Sequence, residues 1–165
     1  MFFWGIAMSE VYHFSEDALR ALLFAHEEAE FRNHHKLNSV HVLLGLIRYA
    51  HVYGDGILEG TGLLLVSARA AANHALPPAE RSIHLGNRRP TPDVDRLIAR
   101  AVAAGEYGLV GVHHLWHAIL TDRESPALRV LHESGVVDLE RLRKNSRISV
   151  PLREVIDELE KRQSK

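Results

Sequence analysis

The stretch VGVHHLWHAIL, residues 110–120, puts three histidines into five residues. On a helix His113 and His117 are four apart with His114 between them, so all three fall within an arc of about 100°. Zinc, nickel or copper can accept two or three such imidazoles, and an i,i+4 pair is the usual helical half-site. A complete site needs a further ligand from elsewhere, and the sequence does not say which carboxylate or histidine supplies it. The opposite face of the same helix carries Val112, Leu115, Trp116, Ile119 and Leu120, a core stripe. His113 and His117 are therefore expected on the polar face of an amphipathic helix and His114 as a packing histidine. No resident metal and no cofactor are expected; His113, His114 and His117 are the metal candidates of the alternative function, a histidine-based metal-binding or pH-responsive module.

Other chemistries have less support. There is no cysteine, which excludes thiolate metal sites, disulfides and cysteine nucleophiles. No G-x-S-x-G places a serine nucleophile, no H-E-x-x-H pairs a base with metal ligands, and no G-x-x-x-x-G-K-[ST] cradles a phosphate. GDGILEGTG, residues 54–62, is glycine-rich but lacks the preceding strand of a dinucleotide loop. The reading is a non-enzyme.

The 165 residues, 46% hydrophobic and 25% charged, suit one globular domain or two small similar units sharing a core. Twenty Lys and Arg nearly balance 21 Asp and Glu without a basic stripe, so nucleic acid is not an expected partner. Twelve histidines would turn the chain positive as pH falls through about 6.5. MFFWGIAM at the start is apolar but lacks a basic leader, and Met8 offers an alternative start. Nothing approaches the roughly 20 apolar residues of a membrane span, so no membrane association and a cytoplasmic location are expected.

The elements that must hold the histidines can be read from caps and periodicity. Ser15 caps a first helix, Glu16 and Asp17 suit its positive end, and Phe14 is placed to staple onto Leu19. Leu19, Leu22, Leu23, His26 and Ala29 share a face at three-four spacing. After NHHKLNS, read as a solvated loop with His34 and His35 in it, Ser39 caps VHVLLGLIRYA, apolar nearly all round and so central to a core. Gly45 in its middle would admit a close neighbour. A short third helix is expected in DGILEGTG with Gly62 as terminator, and a fourth over residues 64–75.

The chain then repeats itself. LPPAERSIHLGNRRP reads as a linker; after it TPDVDRLIARAVAAG opens with a Thr91 cap and Pro92. VHHLWHAIL matches VHVLLGLI, SPALRVLHESG matches DGILEGTG, and DLERLRKN, capped by Asp138, matches the fourth helix. His114 follows His41 by 73 positions, as Leu131 follows Leu58 and Gly135 follows Gly62, while Arg96 follows Arg20 by 76. This is a duplicated four-helix unit. The expected organisation is an extension over 1–11, repeat 1 over 12–76, a linker over 77–90, repeat 2 over 91–145, and an amphipathic C-terminal helix over 146–165 with Leu152, Val155, Ile156 and Leu159 on one stripe. That last helix either packs on the domain or serves docking and dimerisation.

The carriers FSEDALRALLFAHEEA, NSVHVLLGLIR and ILEGTG, and their counterparts TPDVDRLIARAV, VGVHHLWHAIL and VLHESGVVDLERLR, resemble the N-terminal (Clp R) domain of the Clp AAA+ unfoldases over residues 12–145. No single motif is specific, but their order, duplication and spacing together are. The resemblance implies an all-α fold of two pseudo-twofold-related four-helix repeats, here with a C-terminal helix. It implies a module that binds peptides or proteins: a Clp ATPase, a protease subunit, an adaptor or an unfolded client. An accessory or adaptor factor in Clp-type substrate handling is the role expected. Some members of the family read phosphoarginine with a threonine at the start of each first helix and a glutamate just before the histidine of each second helix. Those positions are Ser15 and Thr91, and Val40 and His113. Valine cannot pair with a guanidinium and histidine is at best neutral towards it, so Ser15 and Thr91 are expected to act as helix caps.

Overall fold

The computed structural model describes residues 13–83, 86, 88–105, 108–135 and 138–147. The N-terminal extension expected over 1–11 lies outside them, as does the C-terminal helix expected over 146–165 except for Ser146 and Arg147. Among the described residues the fold is all-helical apart from four two-residue strands. The order is β1 (His13–Phe14), α1 (Glu16–Phe31), β2 (Lys36–Leu37), α2 (Ser39–Tyr53), α3 (Leu65–Ala75), β3 (Arg89–Pro90), α4 (Pro92–Ala104), β4 (Leu109–Val110), α5 (Val112–Thr121), α6 (Pro126–Glu133) and α7 (Leu139–Arg147).

The four strands form two parallel pairs that cross between the halves of the chain. β1, before the first helix of the first half, pairs with β4, before the second helix of the second half; β3 pairs with β2 in the reciprocal way. The start of α1 is thereby placed beside the start of α5, and the start of α4 beside that of α2.

The core is built around α2. Every residue from Ser39 to Ile47 is buried, as expected of a helix apolar nearly all round. Gly45 is what lets α1 lie against it: a Cβ there would collide with the backbone oxygen of Ala21 and stand 2.6 Å from the backbone nitrogen of Ala25. The face of α1 that meets α2 is accordingly made of small residues, Ala18, Ala21, Ala25 and Ala29, with Leu22. This corrects the stripe expected from periodicity. Leu19 and Leu23 are 47% and 45% exposed, because the close approach at Gly45 rotates the alanines inward. Charge also reaches this interface. Glu28 on α1 is 2% exposed and meets Arg32 at 2.8 Å and Arg69 of α3, with Arg48 of α2 3.9 Å away. Burial pushes its carboxyl up, but the bonds from Arg69 and Arg32 outweigh that and hold it below the usual range.

The expected third helix of the first half is absent. Residues 57–61 form turns, because Gly54, Gly56, Gly60 and Gly62 all take positive φ, which interrupts helical continuity. The carbonyls that a helix would have used internally are met from the other half: Asn145 of α7 donates to Ile57 O at 2.9 Å and to Glu59 O at 3.1 Å. The matching segment of the second half is the helix α6, with Ser125 accepting from Ala127 N at 3.2 Å as its cap. α7 starts at the expected cap, with Arg141 N donating to Asp138 Oδ1 at 2.7 Å.

Candidate functional site

Two junctions of helix starts, one at each crossed strand pair, contain the sequence-singled residues. The pairing is across the halves: Ser15 stands with His113, and Thr91 with Val40. Ser15 N donates to Val110 O at 2.9 Å, and Thr91 N donates to Leu37 O at 2.8 Å.

The α2/α4 junction is closed. Asn38, not Ser39, is the cap of α2: its Oδ1 accepts from Val40 N at 3.0 Å and His41 N at 3.2 Å. Ser39 N donates to Asp93 Oδ2, from α4, at 2.9 Å. Three first-turn amides of α2 are thus occupied, and Val40 is 1% exposed. Thr91 does not act as the side-chain cap expected of it. Its hydroxyl faces the Leu37 carbonyl at 3.1 Å and the Asp93 carboxylate. Burial raises the Asp93 carboxyl, but the hydrogen bonds from Ser39 and Thr91 win and keep it below the usual carboxylate range.

The α1/α5 junction is built differently. Ser15 is a true cap, accepting from Ala18 N at 3.1 Å. Glycine occupies the cap position of α5, and Gly111 has no side chain with which to hold the amides of Val112 and His113. The His113 ring folds over Gly111, with its Nδ1 3.0 Å from where a Cβ would be. It also lies against His114, ring centroids 3.8 Å apart. His113 is half-buried, His117 exposed.

His114 and His41 do the same work in the two halves. Each accepts through Nδ1 from the backbone N–H three residues earlier, Gly111 N at 2.8 Å and Asn38 N at 3.1 Å. This is the reciprocal half of a capping box with histidine in place of the usual Glu or Gln. Burial holds His114 down to about 4, helped by His113 and His117, and holds His41 down to about 3, helped by His34 and the nearby Arg32 and Arg88. Nδ1 of His114 is therefore committed to the backbone. Among the described residues no group of three His, Asp or Glu side chains is gathered in a way that could hold a metal ion.

The loop expected to be solvated is not. His34 is 4% exposed and bonded to His41 Nε2 at 2.9 Å, and His35 pairs with Glu80 at 2.6 Å. Residues that reading the sequence missed are Asn38, Gly111, Asp93 and Glu80. The contrast Asn-Ser against Gly-Val just before the two matched helices is the one signal visible in the sequence.

The Clp repeat (R) N-terminal domain family matches residues 13–108, which takes in both crossed strands of the first half and the first helix of the second. The chain belongs to the Clp N-terminal domain family. It is 25% identical over 146 residues, 86% of its length, to an ATP-dependent Clp protease ATP-binding subunit ClpA homolog of Cyanidium caldarium. It covers 17% of that relative and 14% of the ClpA homolog of Trieres chinensis, so it spans under a fifth of the curated relatives it matches. In fold it is similar to the N-terminal domain of the chaperone ClpD from Arabidopsis thaliana, with a TM-score of 0.65 at 22% identity over 81% of this chain and 94% of that one. The Hsp104 N-terminal domain of Candida albicans gives 0.58 at 16% identity over 81% and 88%. No described helix of this Clp N-domain is long and apolar enough to cross a membrane.

Proposed function

We propose that this Clp N-domain is a non-enzymatic, cytoplasmic protein-binding module that works as an accessory or adaptor factor in Clp-type substrate handling. Its partners are a Clp ATPase, a protease subunit, an adaptor or an unfolded client. The observation that carries the reading is the family match over residues 13–108 on a fold whose two helix-start junctions differ in how they are closed. The α1/α5 junction, with Ser15, His113 and the exposed His117 around it, is the binding site. The α2/α4 junction, sealed by Asn38 and Asp93 over the buried Val40, is structural. The domain division into repeat 1 over 12–76, linker 77–90, repeat 2 over 91–145 and a C-terminal helix over 146–165 belongs to the same reading. So do the pseudo-twofold relation of the repeats and a dimer through the C-terminal helix.

The reading is tested by titrating the full chain with a reduced, carboxymethylated model client and with a purified Clp ATPase, each followed by calorimetry. Saturable binding to either, weakened at least tenfold by His113→Ala/His117→Ala with the thermal midpoint held, supports it. Absence of binding to both overturns it. The alternative, metal binding through His113 and His117, predicts heat on titration with zinc that the same double variant removes.

A further inference from the structure

The loop between α1 and α2 is zipped to the connector between α3 and α4 along a seam with three histidines in it. Asn33 donates from its side chain to Glu80 O and, at 3.2 Å, to Ser82 O, and Glu80 N donates to Asn33 O at 3.1 Å. His35 N donates to Glu80 Oε1 at 3.0 Å, and Arg88 Nε donates to His34 O at 2.8 Å. The seam ends in the β2–β3 pair and the bond from Thr91 N to Leu37 O.

Hydrogen-bond chemistry fixes the protonation of the two buried rings. Asn38 N–H points at His41 Nδ1, so that nitrogen is an acceptor and the proton of the neutral ring sits on Nε2. His41 Nε2–H then donates to His34 Nδ1 at 2.9 Å, and His34 Nε2–H donates to Pro77 O at 2.9 Å. The chain runs one way, from the Asn38 amide to the Pro77 carbonyl, and every ring nitrogen is used. One more proton on either ring would set two N–H groups head to head, at His34 Nδ1 or at His41 Nδ1. The rings are 4% and 0% exposed, so water cannot take over.

The charges around them oppose protonation on balance. Arg32, just past the end of α1, and Arg88 of the connector face both rings and disfavour charging them. Glu80 of the connector favours a charged His34 and Asp93 of α4 a charged His41. His35 closes the outer edge: its Nδ1 faces the Glu80 carboxylate at 2.6 Å and its Nε2 faces Ser82 O at 2.5 Å.

We propose that this seam is a proton-operated latch: uptake of a proton by His34 or His41 releases the 77–91 connector from the α1–α2 loop and leaves α5 to α7 closed. The latch stands independently of the protein-binding reading. Release would free the β2–β3 pairing and the hold of Thr91 and Asp93 on the start of α2.

The test uses the full chain. Long-range nitrogen–proton NMR at pH 7.5 is expected to show both His34 and His41 as Nε2–H tautomers; an Nδ1–H tautomer at either overturns the proposal. Hydrogen-exchange protection of the backbone N–H groups of His34, Glu80 and Thr91 is then followed from pH 7.5 to 5. It is expected to fall about tenfold per pH unit below about 6.5 for each proton taken up, while remaining below the protection of the Leu115 and Val130 amides throughout. A flat profile, or one shared with α5 and α6, overturns it. In His34→Gln/His41→Asn the seam is expected to be less protected at pH 7.5 and to lose that pH dependence; a retained dependence overturns the latch. Should that variant not fold, the wild-type tautomers and profile decide.

Discussion

Asn38 and Gly111 hold the same place in the two halves of the chain, one residue before α2 and one before α5, and the two junctions differ from there outward. Asparagine ties down two amides of α2 with its own oxygen, and Asp93 arrives from α4 to take a third. Glycine does neither, and the space a side chain would fill is taken by the His113 ring. The histidine behind each cap is the constant: His41 and His114 both reach back to the backbone. The two starts share the histidine that reaches back to the backbone. They differ in the residues that close over the cap.

The comparison can be broken most severely through the core. Gly45→Ala places a Cβ against the backbone of Ala21 and Ala25, which cannot retreat without separating α1 from α2. A loss of about 3 kcal/mol or more is expected in urea unfolding. At the matched position of α5 the reverse change, Ala118→Gly, is expected to cost only about 1 kcal/mol beyond the lost methyl contacts, as a helix-propensity effect.

Acid sharpens it next. His41 and His114 are held below the ordinary histidine value in the folded chain, to about 3 and about 4, whereas the unfolded chain binds their protons near 6.5. The unfolded state therefore takes up more protons as pH falls, so the stability these rings confer is complete above about 6.5 and drains away below it. For the fully buried His41 the loss is about 2 kcal/mol between pH 6.5 and 5, at about 1.4 kcal/mol per pH unit. His41→Asn is expected to flatten the stability–pH curve more than His114→Asn. Equal flattening would erase the distinction between the junctions.

A smaller difference separates two aspartates that stand 76 positions apart. Asp93→Ala removes the acceptor of the Ser39 amide and of the Thr91 hydroxyl and is expected to cost about 1–2 kcal/mol in thermal or urea unfolding. Asp17→Ala removes an exposed carboxylate that stands 3.5 Å from Arg20 and hydrogen-bonds the buried Tyr49 hydroxyl, and is expected to cost about 1 kcal/mol or less. Smallest of all, Gly111→Asn installs in α5 the cap that α2 has. The backbone there, φ −98° and ψ 175°, accepts any residue, so a gain of a few tenths of a kcal/mol is expected while the His113 ring is displaced.

Much of this was legible in the sequence. Ser15 and Asp138 were readable as caps and α2 as the centre of the core, because each rests on local pattern. The missing third helix was not. Four glycines can end a helix or replace it, and the choice depended on Asn145, 88 residues beyond Ile57, being there to meet the carbonyls. Thr91 looked like a cap because nothing local says that Leu37 O and Asp93 will compete for its hydroxyl. His34 and His35 looked like solvated loop because the connector that buries them is more than 40 residues away. The crossed pairing of Ser15 with the α5 start is likewise set by β1 and β4, two residues each and too short for any periodicity to announce.

The central claim is that the α1/α5 junction receives partners and the α2/α4 junction does not. It is tested most directly by amide NMR on the full chain during titration with the reduced, carboxymethylated client. Shift changes are expected at residues 13–17 and 110–117, attenuated in Gly111→Asn, with residues 36–41 and 91–93 unmoved. Changes concentrated at 36–41 and 91–93, or spread equally over both junctions and indifferent to Gly111→Asn, would contradict it.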